Sequence, residues 1–385
     1  DLVRSRGLGD VYKRQHEVTT INSRLRSYEE REDPKTLDAN ARVALIGCFL
    51  RGDGFVLSPA EAASIVGSAP SEGEVIRPYL VGEDIAKDPH QRASRFVVDF
   101  GMRELVDAQA FPQAMRILEE RVRPDRERLK TTGADAAHRR YWWRFANPRV
   151  ELRTQLAKSK TCLVLPRVAK HMLVAQVGTE QVFSEQVVVF AVESMAAFAV
   201  LQSRVHEAWV RLLSSTMGEG LRYSATDCFE TFPFPRVDPR AAWPALDEVG
   251  RQLFDARAAY MAAEGVGLTT TYNRMKDAEH EEPRIRELRA LHEAMDRAVV
   301  RAYAEVDLGG EWDGVSVPPF TGEANEVFED AVIGRLFALN AARRATEVVD
   351  SAEPTGAREP MASNKVPKPR STCLLYTSPE PTRPY

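Results

Sequence analysis

Hydrophobic and polar positions divide the chain into a strand-rich part and a helix-rich part. Short apolar runs bounded by turn residues predict strands at about 95–100, 162–165, 172–177 and 186–192. From Ser194 apolar residues recur at three- and four-residue spacing, which predicts a helix. The alternating prolines of Phe232-Pro233-Phe234-Pro235 end that unit. Three further helices are predicted after it, at about 244–264, 283–305 and 325–347.

Local motifs add detail to the first part. Two apolar stretches flank Arg51-Gly52-Asp53-Gly54, which is typical of a β-hairpin. Ser58-Pro59-Ala60-Glu61 combines an N-cap serine, an early proline and a glutamate at the third helical position, and predicts a helix closed near Gly67. A charged helix is predicted at about 112–130, interrupted at Pro124.

The predicted fold is therefore a mixed α/β (α+β) domain over residues 42–238, followed by an all-α helical domain over 239–347. The composition, with 385 residues, a formal charge of −4 and 44% hydrophobic residues, is ordinary for a globular protein. Neither a long apolar run nor a signal peptide is present in the sequence, and we expect a cytoplasmic protein. The widely spaced cysteines exclude a zinc ribbon and a disulfide framework. We expect Cys48, Cys162 and Cys228 to be small core residues.

The two ends of the sequence match a cloning artefact. Back-translation of residues 5–15 gives a sequencing-library transposon adapter, and the reverse complement of the same adapter encodes residues 373–378. We therefore expect residues 1–15 and about 373–385 to be non-native. Residues 16–41 are interpreted as a connector, and residues 348–385 as a disordered tail with the second adapter-derived end.

A strong positive charge lies in the middle of the chain. Residues 139–170 hold nine basic residues against one acidic residue. The candidates for DNA phosphate binding are Arg139, Arg140, Arg144, Lys158 and Lys160. Tyr141, Trp142 and Trp143 lie within this stretch, which suits contact with a polyanion. The alternative is a solvated charged face with a tryptophan pair in the core.

Several catalytic motifs are missing from the sequence. An adenine or cytosine methyltransferase needs an Asn/Asp-Pro-Pro-aromatic loop and a glycine-rich turn for the methyl donor, and neither occurs. Val317-Pro318-Pro319-Phe320 has a valine that cannot accept a hydrogen bond, so we predict an ordinary loop. The histidines are dispersed, without metal-ligand spacing. His292 and Asp296, four residues apart on a predicted helix, are interpreted as a contact within the helix.

A succession of motifs resembles a known family. In chain order they are Gly52-Asp53-Gly54-Phe55, Arg77 to Ile85, Val98-Asp99-Phe100, Phe111-Pro112, Val122-Arg123-Pro124, Tyr141-Trp142-Trp143, Leu201-Gln202-Ser203 with His206 and Trp209, Arg222-Tyr223-Ser224, and Phe232 to Pro235. This order is similar to the target-recognition domain of MmeI-like (type IIL/IIG) enzymes, which are fused restriction-modification proteins that methylate adenine in DNA. Residues 268–273 and 288–299 resemble the C-terminal helical domain of that family.

The resemblance implies sequence-specific recognition of double-stranded DNA. It assigns the parent protein to S-adenosylmethionine-dependent, adenine-specific DNA methylation in a restriction-modification or phage-defence system. The upstream methyltransferase domain, and a nuclease where there is one, would then be missing partners of the same polypeptide, joined through residues 16–41. This chain is expected to bind no cofactor and to be inactive alone. The alternatives are the tail of an RNA-directed enzyme and a non-catalytic protein-interaction module.

The family also suggests where bases are recognised. In the resembling enzymes, polar side chains shortly after an apolar strand that ends in proline set the specificity, and here that strand is 162–165, followed by Pro166. Arginine and lysine can donate to guanine, glutamine can pair with adenine, and glutamate can accept from cytosine. The candidates for base contact are Arg167, Lys170, His171, Gln176, Glu180 and Gln181.

Overall fold

The computed structural model describes residues 32–217, 220–306, 312–322 and 325–352, without the side chains of residues 216, 217 and 350–352. Both expected adapter-derived ends lie outside these residues, as do most of the connector and of the tail. The prediction of a mixed α/β part followed by a helical part is confirmed.

Strands and helices alternate irregularly in the first part of the chain. The strands are β1 Ala44–Ile46, β2 Val56–Leu57, β3 Ile76–Leu80, β4 Arg95–Val98, β5 Thr161–Pro166, β6 Val168–Ala169, β7 Ala175–Gly178, β8 Val182–Phe183, β9 Val187–Phe190, β10 Ser215–Met217 and β11 Gly220–Arg222. The helices are α1 Pro59–Ser68, α2 Gly82–Lys87, α3 Leu105–Ala108, α4 Pro112–Arg121, α5 Arg123–Glu127, α6 Ala134–Arg140, α7 Val150–Leu156, α8 Met195–Gln202, α9 Arg204–Leu213, α10 Pro244–Glu264, α11 Leu268–Lys276, α12 Pro283–Val306 and α13 Asn325–Ala352.

The strands of the described residues form three sheets. Their orders are β1-β9-β5-β7, β2-β4-β3-β8 and β10-β11-β6. β5 lies inside the first sheet and pairs antiparallel with both β9 and β7. Residues 162–166 of β5 are buried on both faces, which explains the continuous apolar run in the sequence.

The predicted hairpin around residues 51–54 is wrong. β1 pairs with β9, whereas β2 pairs with β4 in another sheet. Val43 and Ala44 pack in one hydrophobic core, while Phe55 and Leu57 pack in a second one. The turn therefore moves the chain from one sheet to the other.

Two hydrophobic cores organise the molecule. The first core packs the β1-β9-β5-β7 sheet against the helices from α8 onwards, and contains Val189, Trp209, Leu253, Val299 and Leu336. The second core packs the β2-β4-β3-β8 sheet against α1 and α4. The first core thus continues from the mixed α/β part into the helical part.

Helix ends follow the sequence closely in several places. Ser58 caps α1, since its Oγ accepts from the N–H of Glu61 at 3.2 Å and the Glu61 carboxylate accepts from the N–H of Ser58 at 2.8 Å. The charged helix is interrupted at Val122 rather than at Pro124, because Pro124 occupies the first turn of α5, where its missing N–H costs nothing. α13 continues to Ala352, beyond the predicted end at 347.

Two further expectations concern burial and membrane contact. Cys48, Cys162 and Cys228 are free thiols buried in the cores, as predicted. Of the helices in the described part of the chain, none is both long and apolar enough to cross a membrane.

Candidate nucleic-acid interface

Five of the six candidates for base contact lie towards the two ends of the β5–β7 pair. Thr161, at the start of β5, is paired with Gly178, and Arg167 follows the end of β5. Six residues of extended chain from Thr161 to Arg167 span about 20 Å. Glu180 and Gln181 therefore belong to one end and Arg167 to the other, so the candidates do not form one cluster.

At the start of β5, two segments of polar residues are tied together. The N–H of Thr179 donates to the carbonyl of Lys160 at 3.1 Å, and the Thr179 hydroxyl donates to the carbonyl of Ser159 at 2.8 Å. These bonds place Lys158 and Lys160 beside Glu180 and Gln181. We call these four residues the lysine end.

The side chains of the lysine end are largely exposed and make few hydrogen bonds or ion pairs with described residues. Lys158, Lys160 and Glu180 are exposed, and Gln181 is half-buried. Among the described residues, the side chains of Lys158 and Glu180 take part in no hydrogen bond or ion pair. The Gln181 amide donates to the carbonyl of Gly178 at 2.7 Å, which leaves its own carbonyl oxygen available. This end thus offers two positive charges, a carboxylate and an amide to a ligand.

A cleft of about 480 Å³ adjoins the lysine end. Its lining includes Arg77, Asp99, Arg153, Glu180 and Gln181. Arg153 donates to the Asp99 carboxylate at 2.6 Å, so that pair is neutral overall. Arg77 is half-buried and forms no ion pair with any described residue. Glu180, in the same lining, is likewise unpaired among the described residues, and Arg103 pairs with Glu74, so the charges of the cleft wall balance.

At the other end of β5, the candidates differ in exposure. Lys170 is exposed and Arg167 is half-buried. His171 is 5% exposed, its Nε2 lies 2.7 Å from the side-chain oxygen of Asn273, and burial lowers its pKa. Its ring packs near that of Tyr272 on α11. The position of His171 inside the molecule favours a role in joining β-sheet and helices.

Gln176 occupies an intermediate position on β7. It is half-buried, and its side-chain amide donates to the backbone carbonyl of Glu193 at 2.8 Å. The Glu193 carboxylate in turn accepts from the N–H groups of Lys160 and Thr161, at 3.0 and 3.1 Å. Gln176 therefore helps to fix the segment that precedes α8.

The arginines proposed for phosphate binding also have partners within the protein. Arg139 donates to the carbonyls of Glu127 and Leu129. Arg144 is 9% exposed, and donates to the carbonyl of Arg103 at 2.8 Å and to Glu104 at 2.7 Å. Those contacts favour a structural role for both residues. Arg140 is exposed, with its guanidinium 5.3 Å from the ring centre of Tyr141.

The two tryptophans of the basic stretch belong to the protein interior, while Tyr141 is half-buried. Trp142 and Trp143 are 8% and 5% exposed and pack in the second core. The indole N–H of Trp143 donates to the carbonyl of Arg103 at 3.0 Å. The interpretation of the two tryptophan rings as a surface for a polyanion is wrong, and the alternative of a tryptophan pair in the core is confirmed.

The predicted contact between His292 and Asp296 is confirmed. Nδ1 of His292 lies 3.2 Å from the Asp296 carboxylate, which also accepts from Nε of Arg204 at 2.6 Å. Burial raises the pKa of Asp296, but His292 and Arg204 together lower it below its usual value. Arg204 also donates to the carbonyls of Pro318 and Pro319. The Val317–Phe320 segment is thus a loop held by Arg204, as the sequence suggested.

The space beside Gly54 does not fit the methyl donor, and the described residues hold no metal-binding group. They hold no group of three histidine, cysteine or acidic side chains placed to bind a metal. The Gly52–Gly54 turn leaves no cradle, because a side chain at Gly54 would meet the backbone oxygen of Arg121 at 2.7 Å. Arg121 and Val122 therefore occupy the space beside Gly54, whereas no atom of the described residues lies within 4 Å of a Cβ at Gly52.

Three charged residues that were not among the sequence-predicted candidates lie close to Arg167. They are Arg149, Arg222 and Glu185. Arg222 belongs to the Arg222-Tyr223-Ser224 motif and Arg149 to the basic stretch, so both were visible in the sequence. Their proximity to Arg167 depends on strand pairing between distant segments, which the sequence pattern does not show.

One family model matches more than half of the chain. The family described as "MmeI, target recognition domain" matches residues 35–236. DNA methyltransferase A of Bacillus subtilis (strain 168) is 27% identical over 128 residues, which cover 33% of this chain and 13% of that protein.

A solved structure shows the same fold. It is described as "Structure of Type IIL restriction-modification enzyme MmeI in complex with DNA has implications for engineering of new specificities". The TM-score is 0.60 at 16% identity, over 85% of this chain and 39% of the other. The chain therefore spans well under half the length of either protein.

Proposed function

Since the chain belongs to the family of the MmeI target recognition domain, we propose that it recognises a specific sequence in double-stranded DNA. The lysine end is the observation that carries the proposal. Two exposed lysines there flank a glutamate and a glutamine at one end of a buried strand. Lysines hold phosphates, while glutamate and glutamine distinguish bases through hydrogen bonds.

Within this proposal, the residues have different roles. Glu180 contacts a cytosine amino group or a water on a base edge, and Gln181 contacts adenine after releasing the carbonyl of Gly178. Lys158, Lys160 and Arg140 contact phosphates. Lys170 remains a candidate for base contact at the other end of β5. The buried positions of His171 and Arg144 favour packing instead.

The first experiment tests the phosphate contacts. Binding of the chain to a mixed-sequence duplex is measured by fluorescence anisotropy over a range of salt concentrations. Each lost phosphate contact reduces the slope of log K against log salt by about 0.9, so Lys158→Ala with Lys160→Ala should reduce it by about 1.8. The control is Lys87→Ala with Arg116→Ala, since both charges are already paired with acids on their own helices.

The second experiment tests sequence preference. Duplexes bound by the chain are selected from a randomised pool and sequenced, for the wild type and for Glu180→Gln. The wild type should enrich a defined sequence, and the variant should relax or change one position of it, because a wrong base costs about 1–3 kcal/mol. Enrichment of no sequence, tighter binding of duplex RNA, or no DNA binding at all would each contradict the proposal.

We also propose the context in which this recognition serves. The family, and the similarity to DNA methyltransferase A, support a whole polypeptide that methylates adenine in DNA with S-adenosylmethionine, within a restriction-modification or phage-defence system. The methyl donor would be held outside the described residues. Sequencing of the uninterrupted gene tests this, since an upstream Asn-Pro-Pro-aromatic motif is expected. Labelled S-adenosylmethionine should transfer no methyl group to DNA with this chain alone.

A further inference from the structure

Three arginines converge where β5 ends, and two of them meet through strand pairing. The N–H of Arg167 donates to the carbonyl of Gln186 at 2.7 Å, and the carbonyl of Arg167 accepts from the N–H of Tyr223 at 2.8 Å. Arg222 precedes Tyr223 and lies opposite Val168 in the β11–β6 pair. The side chains of Arg167 and Arg222 therefore start from neighbouring positions on adjacent strands.

Arg149 approaches the same place from the other side of β9. Its Nε donates to the carbonyl of Gly47 at 3.2 Å, and the N–H of Gly47 donates to the carbonyl of Val187 at 3.1 Å. Pro166 is paired with Val187 from the opposite side of β9. Gly47 and Pro166 are thus two strand spacings apart, about 9.5 Å, which a pair of arginine side chains can bridge.

The positive charge of this cluster is poorly compensated. Burial, and then the charges of Arg222 and Arg149, lower the pKa of Arg167, while Glu185 raises it. Glu185 forms no ion pair with any described arginine. In addition, Nε of Arg167 is buried and donates no hydrogen bond to the described residues. Three arginines therefore face a single carboxylate, and a bound anion would relieve their repulsion.

We propose that Arg149, Arg167 and Arg222 form a binding site for one phosphate of the DNA backbone. This rests on the proposed function and changes the role of Arg167 from base contact to phosphate contact. A phosphate brings a full negative charge and accepts several guanidinium hydrogen bonds. A base edge is uncharged, so it would leave the repulsion among the three arginines in place.

The position of this site fits a duplex that also reaches the lysine end. The two sites are separated by the length of β5, about 20 Å. At 3.4 Å per base pair, that separation corresponds to about six base pairs. The site would thus fix the register of the duplex, while the polar side chains at the lysine end contact bases.

The test compares Arg222→Gln with the wild-type chain in the salt-dependent binding assay. Arg222 is exposed, so its replacement should leave the fold intact. The slope of log K against log salt should fall by about 0.9, and the sequence selected from a randomised pool should stay the same. Arg116→Gln is the matched control, an exposed arginine already paired with Glu120, and should leave the slope unchanged.

A second measurement uses inorganic phosphate alone. NMR of the arginine Nε–Hε groups is followed during titration with phosphate at constant ionic strength. The signal of Arg167 should shift in the wild type and stay still in Arg222→Gln. Glu185→Gln removes the opposing carboxylate and should lower the phosphate concentration needed.

The possible results distinguish failure of this phosphate site from failure of the proposed function. An unchanged salt slope and an Arg167 signal insensitive to phosphate would overturn the site while leaving DNA recognition standing. A changed base preference with an unchanged slope would overturn it in favour of a base contact. Phosphate binding that depends on Arg222 in a chain that does not bind DNA would support the anion site and contradict the proposed function.

Discussion

At the scale of single residues, the described chain places several charged and polar side chains inside its first core. Arg257 is 1% exposed and donates to the carbonyl of Val174 at 2.7 Å, and His206 is fully buried. Nε2 of His206 lies 3.0 Å from the hydroxyl of Tyr223, and its ring centre lies 4.4 Å from that of Phe232. From the sequence alone such residues are expected at the surface. Their burial depends on hydrogen-bond and ion-pair partners that are distant in the chain.

The buried position of His206 predicts a pH dependence of stability. Burial lowers its pKa to about 3, so the folded state keeps the ring neutral while the unfolded chain takes up a proton below about pH 6.5. The unfolded state binds more protons in this window, and stability therefore falls as the pH decreases. The free energy of unfolding in urea should lose about 1.4 kcal/mol per pH unit on account of this residue.

The variant His206→Gln isolates this contribution. Its unfolding free energy should fall less steeply between pH 6.5 and 5 than that of the wild type, whatever its stability at pH 7. His90→Gln, at an exposed position, should keep the wild-type slope. If His206→Gln and the wild type lose stability in parallel, proton uptake at His206 does not contribute.

At the scale of elements, local sequence signals predicted helix bounds and helix caps but did not predict which strands pair. The bounds of α10 and the capping box of α1 followed from prolines, caps and apolar spacing. The short helices α2, α6 and α7 were missed because one or two turns carry little periodicity. The sequence pattern also does not show which strands pair. The convergence of Arg149, Arg167 and Arg222 could therefore not be predicted.

The N-terminus of α4 shows how a distant residue completes an element. Its N-cap residue, Phe111, has no side chain that can accept a hydrogen bond. The carboxylate of Glu72, 1% exposed, accepts instead from the N–H groups of Gln113 and Ala114 at 2.9 and 3.0 Å. A negative charge at this end also interacts favourably with the helix dipole.

Replacement of Glu72 by glutamine should therefore destabilise the protein. The variant loses the negative charge, and its NH₂ group replaces one accepting oxygen and cannot accept from the backbone N–H. The unpaired N–H lowers the free energy of unfolding by about 1–3 kcal/mol. Urea unfolding followed by circular dichroism measures the loss. Glu119→Gln, exposed on the same helix, should stay within about 0.5 kcal/mol of the wild type. Equal effects of the two substitutions would exclude capping by Glu72.

At the scale of the whole molecule, the boundary at residue 238 that was predicted from the sequence is crossed by packing. α10 approaches α8 so closely that a side chain at Gly250 would meet the backbone oxygen of Met195 at 2.4 Å. Asp247 accepts from the N–H of Ala196 at 2.7 Å. Asn340 on α13 donates to the carbonyls of Lys35 and Thr231, at 2.8 and 2.7 Å. The helical part therefore completes the first core.

This arrangement predicts that residues 32–236, close to the span matched by the family, do not fold alone. Removal of α10–α13 exposes the apolar side chains of α8 and leaves the lining of the first core without partners, at about 25 cal/mol for each Å² of apolar surface. The truncated chain should lack a near-UV circular dichroism signal and a cooperative urea transition. Its loss of DNA binding would then follow from loss of the fold.

The matched control ends the chain after Ala352 and keeps every described residue from 32 onward. It should unfold in a cooperative transition at the same urea concentration as the full chain, because the cores and their hydrogen bonds are retained. A truncated 32–236 chain with native near-UV signal and cooperative unfolding would show that the mixed α/β part is autonomous. In that case the contacts of Asp247, Gly250 and Asn340 would join two independently stable units, and the helical part could act on DNA binding only as a separate module.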